Sequence, residues 1–309
     1  DTKYGINLLS KDNMNSFINS FNESKSITRV DKGMWVDGDR EANVLIEIKD
    51  YPFTLSMLKQ VFTNIKTNQE YILQEMVDEL NRRDDEDGIQ MYVKYKLDTR
   101  NRLEHFFGQC FVEAKTTKGD FTLEEELGKF TENNIISYRG KARLEEAKKL
   151  YPQYYDKADP SKWAKFVGNA MYSDRGKNHL GNDGGDDGFN FRGRGLKQLT
   201  GKDNYTSFNN YSHKKFLVDK DTDLLKNPDL ISQDGKYALI SAAYFWTIER
   251  PKPKKYRLYE IADESKADSD NNDIVERITA VINPQKLSLE QRKEAYKRIK
   301  TANVFKIFQ

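Results

Sequence analysis

The chain of 309 residues has little of what several classes of protein require. It contains one cysteine, Cys110, which excludes a disulfide framework and a cysteine-rich zinc site. Three histidines, His105, His179 and His213, leave few candidates for a histidine-based triad or metal site. No apolar run reaches the roughly 18 residues of a membrane-spanning helix, so membrane insertion is not expected. Any chemistry is therefore expected to rest on carboxylates, with no cofactor and no metal.

An excess of charge of either sign is also lacking. The 51 Lys and Arg residues nearly balance the 49 Asp and Glu residues, which leaves a formal net charge of +2. No overall attraction to nucleic acid follows, so a nucleic-acid partner is not expected. The residues that open the chain, Asp1 to Gly5, are not typical of a signal peptide, and the route of delivery stays open.

What the chain does contain is enough large apolar residues for a folded core, with 17 Phe, 17 Tyr and 3 Trp. From about residue 52 onwards, apolar residues recur with a helical period. The pattern predicts a mainly helical protein, with helices near 55–65, 72–80, 103–111, 141–151, 161–173, 235–248 and 273–282. A last helix is expected to begin after Ser288, with Gln291 completing a capping box.

The first 52 residues follow a different pattern. Residues 8–21 have a short, polar helical pattern, whereas 34–36 and 42–48 resemble strands around a turn at 37–39. A small mixed α+β region with a hairpin is therefore expected at 1–52, ahead of a larger helical domain at 53–309.

One segment between predicted helices, residues 181–195, holds six glycines. Such density indicates backbone in special conformations, or backbone that another group approaches closely. Its Asp and Gly residues do not have the spacing of an EF-hand loop, and Gly193-Arg194-Gly195 lacks the Gly-Lys-Ser/Thr ending of a P-loop. A tight surface loop is the favoured interpretation.

Carboxylates are the stronger candidates for chemistry. Glu113 directly follows the apolar run 106–112, so its side chain is expected to be partly removed from water, which favours the protonated form and suits a general acid. Residues 124–126 are three glutamates in a row after a turn around Gly119. Two acids that flank a cleft are what glycoside hydrolysis needs. The triplet alone fits a solvated helix start equally well.

Several motifs occur in a definite order. The most specific runs from Phe191 to Tyr205 as Phe-Arg-Gly-Arg-Gly-Leu-Lys-Gln-Leu-Thr-Gly-Lys-Asp-Asn-Tyr, and the supporting blocks lie at 102–113, 123–127, 227–230 and 241–246. In this order they resemble glycoside hydrolase family 19, the chitinase-like enzymes, and within it the branch that includes phage endolysins. The resemblance covers roughly 53–309. It implies a lysozyme-like helical catalytic domain with a two-lobed cleft.

The resemblance also implies roles for individual residues. Glu113 matches the general acid and Glu125 the general base that activates water, with Glu124 as the alternative base. The other matched residues are Thr200 for holding the attacking water, Gln198 and Asn204 for hydrogen bonds to the sugar, and Asn283 and Arg292 near the cleft. Two further questions stay open: Arg192 and Arg194 either orient the acids or pin the loop, and Tyr172, Tyr205 and Phe191 line sugar subsites or the core.

The expected function is hydrolysis of β-1,4 bonds between aminosugars with inversion, so the two carboxyl groups are expected about 6.5–9.5 Å apart. Bacterial cell-wall peptidoglycan is the first choice of substrate and partner, with action at the cell wall or periplasm, and chitin is the alternative. A different class, a wall-binding or injection-machine component without catalysis, is the competing hypothesis. Residues 1–52 are then a docking module, a wall-binding module or a simple extension, and a phage, secretion or immunity partner remains unknown.

Overall fold

The computed structural model describes residues 52–173, 180–215, 217–250 and 256–308. In the region before them it describes the backbone of two strands. The chain divides into two compact units, 1–54 and 55–309. In the first unit, β1 (Lys3–Asn7) pairs antiparallel with β2 (Asn43–Glu47). The strand predicted at 42–48 is β2, and its described partner is β1. The predicted strand 34–36 and the helical pattern 8–21 lie outside the described residues.

Helices make up most of the described part of the second unit, which confirms the prediction of a mainly helical protein. They are α1 (Leu55–Val61), α2 (Glu70–Asn81), α3 (Met91–Lys94), α4 (Arg100–Glu113), α5 (Glu132–Arg139), α6 (Lys141–Leu150), α7 (Pro160–Tyr172), α8 (Asp187–Asn190), α9 (Lys202–Lys214), α10 (Leu230–Gln233), α11 (Gly235–Thr247), α12 (Leu258–Ala262), α13 (Asn272–Ile282) and α14 (Leu289–Thr301). Short 3-10 helices lie at Thr67–Gln69, Leu127–Lys129 and Pro152–Tyr154.

Two local details differ from the sequence-based predictions. Helix α14 begins where expected, but the capping box is wrong, because Ser288 has a φ of 59° and its side chain caps nothing. Gln291 instead accepts a hydrogen bond from Lys115 Nζ at 2.6 Å. Helix α9 was not predicted, since it is mostly polar and buries only a narrow stripe that includes Tyr205 and Phe208.

The central helix is α4, which is buried along most of its length. Phe106 packs edge-on against Trp246 of α11, with ring centroids 5.5 Å apart. Helix α14 lies along α4, and their backbones approach so closely that a Cβ on Gly108 would lie 3.3 Å from Tyr296 Cα. This packing makes Glu113 the last residue of a deeply buried helix.

A second hydrophobic core lies around α7 and is built from the segment between residues 127 and 171. Its buried members are Leu127, Ile135, Leu144, Ala147, Tyr151, Trp163, Phe166, Val167, Ala170 and Met171. These side chains come from α5, α6, α7 and the 3-10 helix at 127–129, with Tyr151 directly after α6. The second unit therefore has one core around α4 and another around α7, as a two-lobed domain requires.

Helices α7 and α8 meet at two glycines. A Cβ on Gly168 would lie 2.8 Å from Phe189 Cα, and a Cβ on Gly188 would lie 2.7 Å from the carbonyl oxygen of Gly168. Both distances are too short for a carbon atom, so the two backbones pack directly against each other. This contact anchors the start of the glycine-rich segment on the second core.

Because the contact leaves no room for a methyl group, we expect Gly168→Ala to lower the free energy of unfolding by about 1–3 kcal/mol. Denaturant unfolding followed by circular dichroism measures the change. Gly128→Ala is the matched control, since its Cβ would meet nothing closer than 3.5 Å. Equal stability of the two variants would contradict the direct backbone contact.

Candidate active site

The segment that carries the glutamate triplet is held by backbone pairing to the glycine-rich segment. Gly195 N donates to the carbonyl oxygen of Leu123 at 2.7 Å, and Glu125 N donates to that of Gly193 at 3.1 Å. Between them, Glu124 and Arg194 form an antiparallel bridge. Because successive side chains in extended backbone point to opposite sides, this pairing sends neighbouring glutamates to different surroundings.

The glycine-rich segment continues into a tight turn. The backbone groups of Arg194 and Leu199 exchange hydrogen bonds of 3.2 Å and 2.8 Å. Gly195 has a φ of 75°, and a Cβ there would lie 2.7 Å from Ser241 Oγ. Both conditions exclude a side chain, which explains glycine at this position. The turn brings Gln198 next to the paired segment.

The acidic cleft is the cavity of about 390 Å³ that these elements enclose. Both lobes contribute to it, because its lining includes the end of α4 and, from the second core region, Phe130 and Asn134 of α5. Its lining residues are Glu113, Lys115, Thr116, Thr117, Thr122, Glu124, Glu125, Glu126, Lys129, Phe130, Asn134 and Gln198. The structure thus brings both predicted acids, the alternative base and one predicted sugar-binding residue into a single cleft.

Glu113 lies at the α4 end of the cleft with its side chain 16% exposed. Arg292 Nη2 donates to Glu113 Oε1, and Arg292 Nη1 donates to Gln109 Oε1 at 2.7 Å. Gln109 in turn donates to Thr279 Oγ1 at 3.0 Å, so the guanidinium is held from both sides. Arg292, predicted near the cleft, therefore holds the carboxyl group of Glu113. It does not itself line the cavity.

Glu125 lies in a different environment. The hydroxyl of Tyr172, at the end of α7, lies 2.7 Å from Glu125 Oε1 and 2.8 Å from Oε2. Burial raises the pKa of Glu125 above its ordinary value, and the hydrogen bond from Tyr172 partly opposes that rise. A carboxylate with a raised pKa is a stronger base, which suits the removal of a proton from water.

Glu124 is held by a cation instead. Arg192 Nε and Nη2 lie 2.9 Å and 2.5 Å from Glu124 Oε1, and Ser232 Oγ lies 3.4 Å from Oε2. Arg192 also reaches Asp229 at 3.3 Å. Both carboxyl oxygens of Glu124 are thus engaged by neighbouring side chains, which leaves Glu125 as the better placed of the two to accept a proton from water.

Arg194 is almost fully buried and joins its own segment to residues that follow later in the chain. Its guanidinium lies 2.5 Å from Asp229 Oδ1, 2.9 Å from the hydroxyl of Tyr205 and 2.6 Å from the carbonyl oxygen of Asn190. These contacts pin the loop. Arg192 both orients an acid and pins the loop, since it binds the alternative base Glu124 as well as Asp229.

The remaining predicted residues do not line the cleft. Thr200 Oγ1 donates to the carbonyl oxygen of Gln198 at 2.8 Å and lies beside Gly193, where a Cβ would be 3.4 Å away. Asn204 donates to the carbonyl oxygen of Thr200 at 2.6 Å. Asn283 follows α13 and its Oδ1 accepts from Leu287 N at 3.4 Å.

Two residues at the site were not assigned a role from the sequence. For Tyr172 the sequence left two interpretations open, a sugar subsite or the core. Its contact with Glu125 joins residues 47 positions apart, which no local sequence pattern predicts. Lys197 was not singled out, although it lies inside the most specific motif. By contrast, Cys110 is buried as predicted, and burial raises the pKa of its thiol to about 11, as expected for an inert group.

Chemically, the arrangement fits acid–base hydrolysis. One polar cleft holds two carboxyl groups, one beside a cation and one buried under a tyrosine hydroxyl, and glycoside hydrolysis uses such a pair. Within the part of the chain that the structure describes, no group of His, Cys, Asp and Glu could hold a metal ion. Among the same residues, no helix has the length and apolar character of a membrane span.

Comparisons with known proteins point to the same class. No protein-family model matches the chain. A glycosyl hydrolase family 19 domain-containing protein of Haemophilus influenzae is 25% identical over 171 residues, which cover 55% of this chain and 70% of that protein. This relative confirms the resemblance to family 19 that the motifs predicted.

Two solved structures align over most of the chain. Chitinase C from Streptomyces griseus is 16% identical, covers 83% of this chain and 93% of its own, and gives a TM-score of 0.46. A mutant of chitinase C gives 0.47 at the same identity and coverage. At TM-scores below 0.5 neither alignment supports a conclusion about the site.

Removal of the Tyr172 hydroxyl tests how its hydrogen bond affects the pKa of Glu125. The hydrogen bond favours the charged carboxylate, so Tyr172→Phe should raise the pKa of Glu125 further. A base must be ionised to act, and the acidic limb of the pH–activity profile should therefore move to higher pH, by roughly one unit. Tyr154→Phe, which loses a comparable 2.8 Å bond to Asp186, is the control and should keep the original limb.

Proposed function

We propose that this chain cleaves β-1,4 bonds between the aminosugars of bacterial peptidoglycan by an inverting mechanism with two carboxylates. That it is a glycoside hydrolase is supported by the family 19 relative. The observation that carries the mechanism is the meeting of Glu113 and Glu125 in one cleft.

Glu113 acts as the general acid. Arg292 binds its Oε1, so Oε2 carries the proton that passes to the glycosidic oxygen as the bond to the anomeric carbon breaks. The leaving sugar departs with that proton as its new hydroxyl. The neighbouring Arg292 stabilises the carboxylate that this step creates, which lowers the energy of the developing charge.

Glu125 acts as the general base. It takes a proton from a water molecule on the opposite face of the sugar, and the resulting hydroxide equivalent bonds to the anomeric carbon with inversion. The hydroxyl of Tyr172 fixes the orientation of the carboxylate. Thr200 and Gln198, beside Gly193 at the edge of the cleft, are proposed to hold the water and the sugar, with Asn204 and Asn283 in supporting positions.

Peptidoglycan is preferred to chitin because the motifs at 102–113 and 191–205 resemble the endolysin branch. Action at the cell wall or periplasm follows from that substrate. The domain at 53–309 is proposed as the catalytic part, and the region at 1–52 as an extension that docks or binds the wall.

Replacement of the two acids tests the mechanism. We expect Glu113→Gln and Glu125→Gln each to lower the turnover of peptidoglycan by about 100-fold or more, since general acid–base catalysis contributes about that much. Glu124→Gln should cost less, because Glu124 is paired with Arg192 and does not act on water. Purified cell walls and chitin oligomers are digested in parallel, and mass spectrometry identifies the products.

The anomeric form of the products, read by proton NMR during the first turnovers, tests inversion. Products cut after N-acetylmuramic acid support the peptidoglycan proposal, whereas release of chitin oligomers alone supports the chitinase alternative. Absence of turnover on both substrates by the folded protein would favour the wall-binding class.

A further inference from the structure

A short hairpin, residues 115–121, follows α4 and forms one wall of the acidic cleft. Its two ends, Lys115 and Phe121, form an antiparallel bridge. Phe121 is buried and packs edge-on against Phe62, with ring centroids 5.4 Å apart. The hairpin is therefore fixed to the core at its far end and to α4 at its near end, and it places Lys115 two residues after Glu113 in the lining of the same cavity.

The Lys115 ammonium is held in place by a neutral group. Nζ donates to Gln291 Oε1 of α14 at 2.6 Å and lies 5.9 Å from the ring centroid of Phe111. No ion pair between described residues includes it, although the charge of Glu294 acts on it from a greater distance. Because an ammonium group has three N–H donors, the bond to Gln291 leaves donors for a further partner.

The glutamates that line the acidic cleft already have side-chain partners of their own. The pairs are Glu113 with Arg292, Glu124 with Arg192, Glu126 with Lys129, and Glu125 with the hydroxyl of Tyr172. Among the described residues, none of these acids forms an ion pair with Lys115. A cation that lines a binding cleft and neutralises no carboxylate of the protein is complementary to an anionic group of the ligand.

We propose that Lys115 is a specificity-determining residue whose ammonium binds a carboxylate attached to muramic acid. This inference rests on the proposed function and names the part of the substrate that distinguishes peptidoglycan from chitin. The N-acetylglucosamine units of chitin carry no carboxylate. Each muramic acid has a lactyl group, whose carboxyl is either free or bonded to a stem peptide that bears carboxylates. Because Lys115 lines the same cavity as Glu113 and Glu125, the bound carboxylate belongs to a sugar at or next to the bond that is cut.

The rest of the hairpin supplies no comparable group. Thr116 and Thr117 line the cleft with uncharged hydroxyls, and Thr116 Oγ1 accepts from Lys118 N at 3.2 Å within the turn. Lys118 itself is exposed at the tip and does not line the cleft. The hairpin therefore carries one lysine in the cleft wall and one outside it, which gives the test a matched control in the same element.

The first test is the kinetics of Lys115→Met, which keeps much of the side-chain length and removes the charge. We expect the KM for soluble peptidoglycan strands to rise by about tenfold, as the loss of one charge-assisted hydrogen bond predicts, with kcat nearly unchanged. Turnover of chitin oligomers should not change. Lys115→Arg, which keeps a positive charge, should retain most of the affinity, and Lys118→Met should behave as the unaltered protein.

The second test is binding, which does not depend on hydrolysis. Calorimetric titration compares three disaccharides: N-acetylglucosamine joined to N-acetylmuramic acid with its stem peptide, the same disaccharide with a free lactyl carboxylate, and two N-acetylglucosamine units. Lys115→Met should bind one or both of the charged disaccharides about tenfold more weakly and the uncharged one equally well. Which charged disaccharide loses affinity shows whether the stem peptide or the lactyl group supplies the carboxylate.

Unchanged binding of both charged disaccharides by Lys115→Met would overturn the inference, as would an equal loss of affinity for all three. Because binding is measured without turnover, a protein that cuts neither polymer still gives a result, so a failure of the proposed function stays distinguishable. Thermal unfolding is recorded for each variant, and Lys115→Gln serves as the second neutral variant if Lys115→Met does not fold.

Discussion

The backbone pairing between residues 123–125 and 193–195 is the constraint on which the site depends. It joins two segments that are about 70 positions apart in sequence and fixes them face to face. Glycines at 193 and 195 make the approach possible, because a side chain at either would collide with Gln198 or Ser241. Without this pairing, the glutamate triplet would be a solvated surface segment.

Charge is distributed unevenly around the two acids. On one side of the cleft, Arg292 binds Glu113. On the other, Glu125 is buried beneath Tyr172, while Arg192 is engaged by the neighbouring Glu124. The fold thus gives two chemically identical side chains different surroundings, an arginine beside Glu113 and a tyrosine hydroxyl on the buried Glu125.

Local structure was largely predictable where apolar residues recur with a helical period. Helices α4, α7 and α11 each bury a broad apolar face, and all three coincide with predicted segments. The helical period of apolar residues did not predict α9, because this helix is mostly polar and buries only a narrow stripe. The capping box predicted at Ser288 is also absent, since the backbone there is left-handed and the side chain makes no cap hydrogen bond.

The sequence alone determined that this protein is mainly helical and that Glu113 ends a buried helix. Those properties depend on composition and on neighbours within a few turns, which a linear pattern records. Only the tertiary structure brought Tyr172 to Glu125, Arg192 to Glu124 and Arg292 to Glu113. These contacts span from 47 to 179 positions, and their geometry follows from packing that no local pattern encodes.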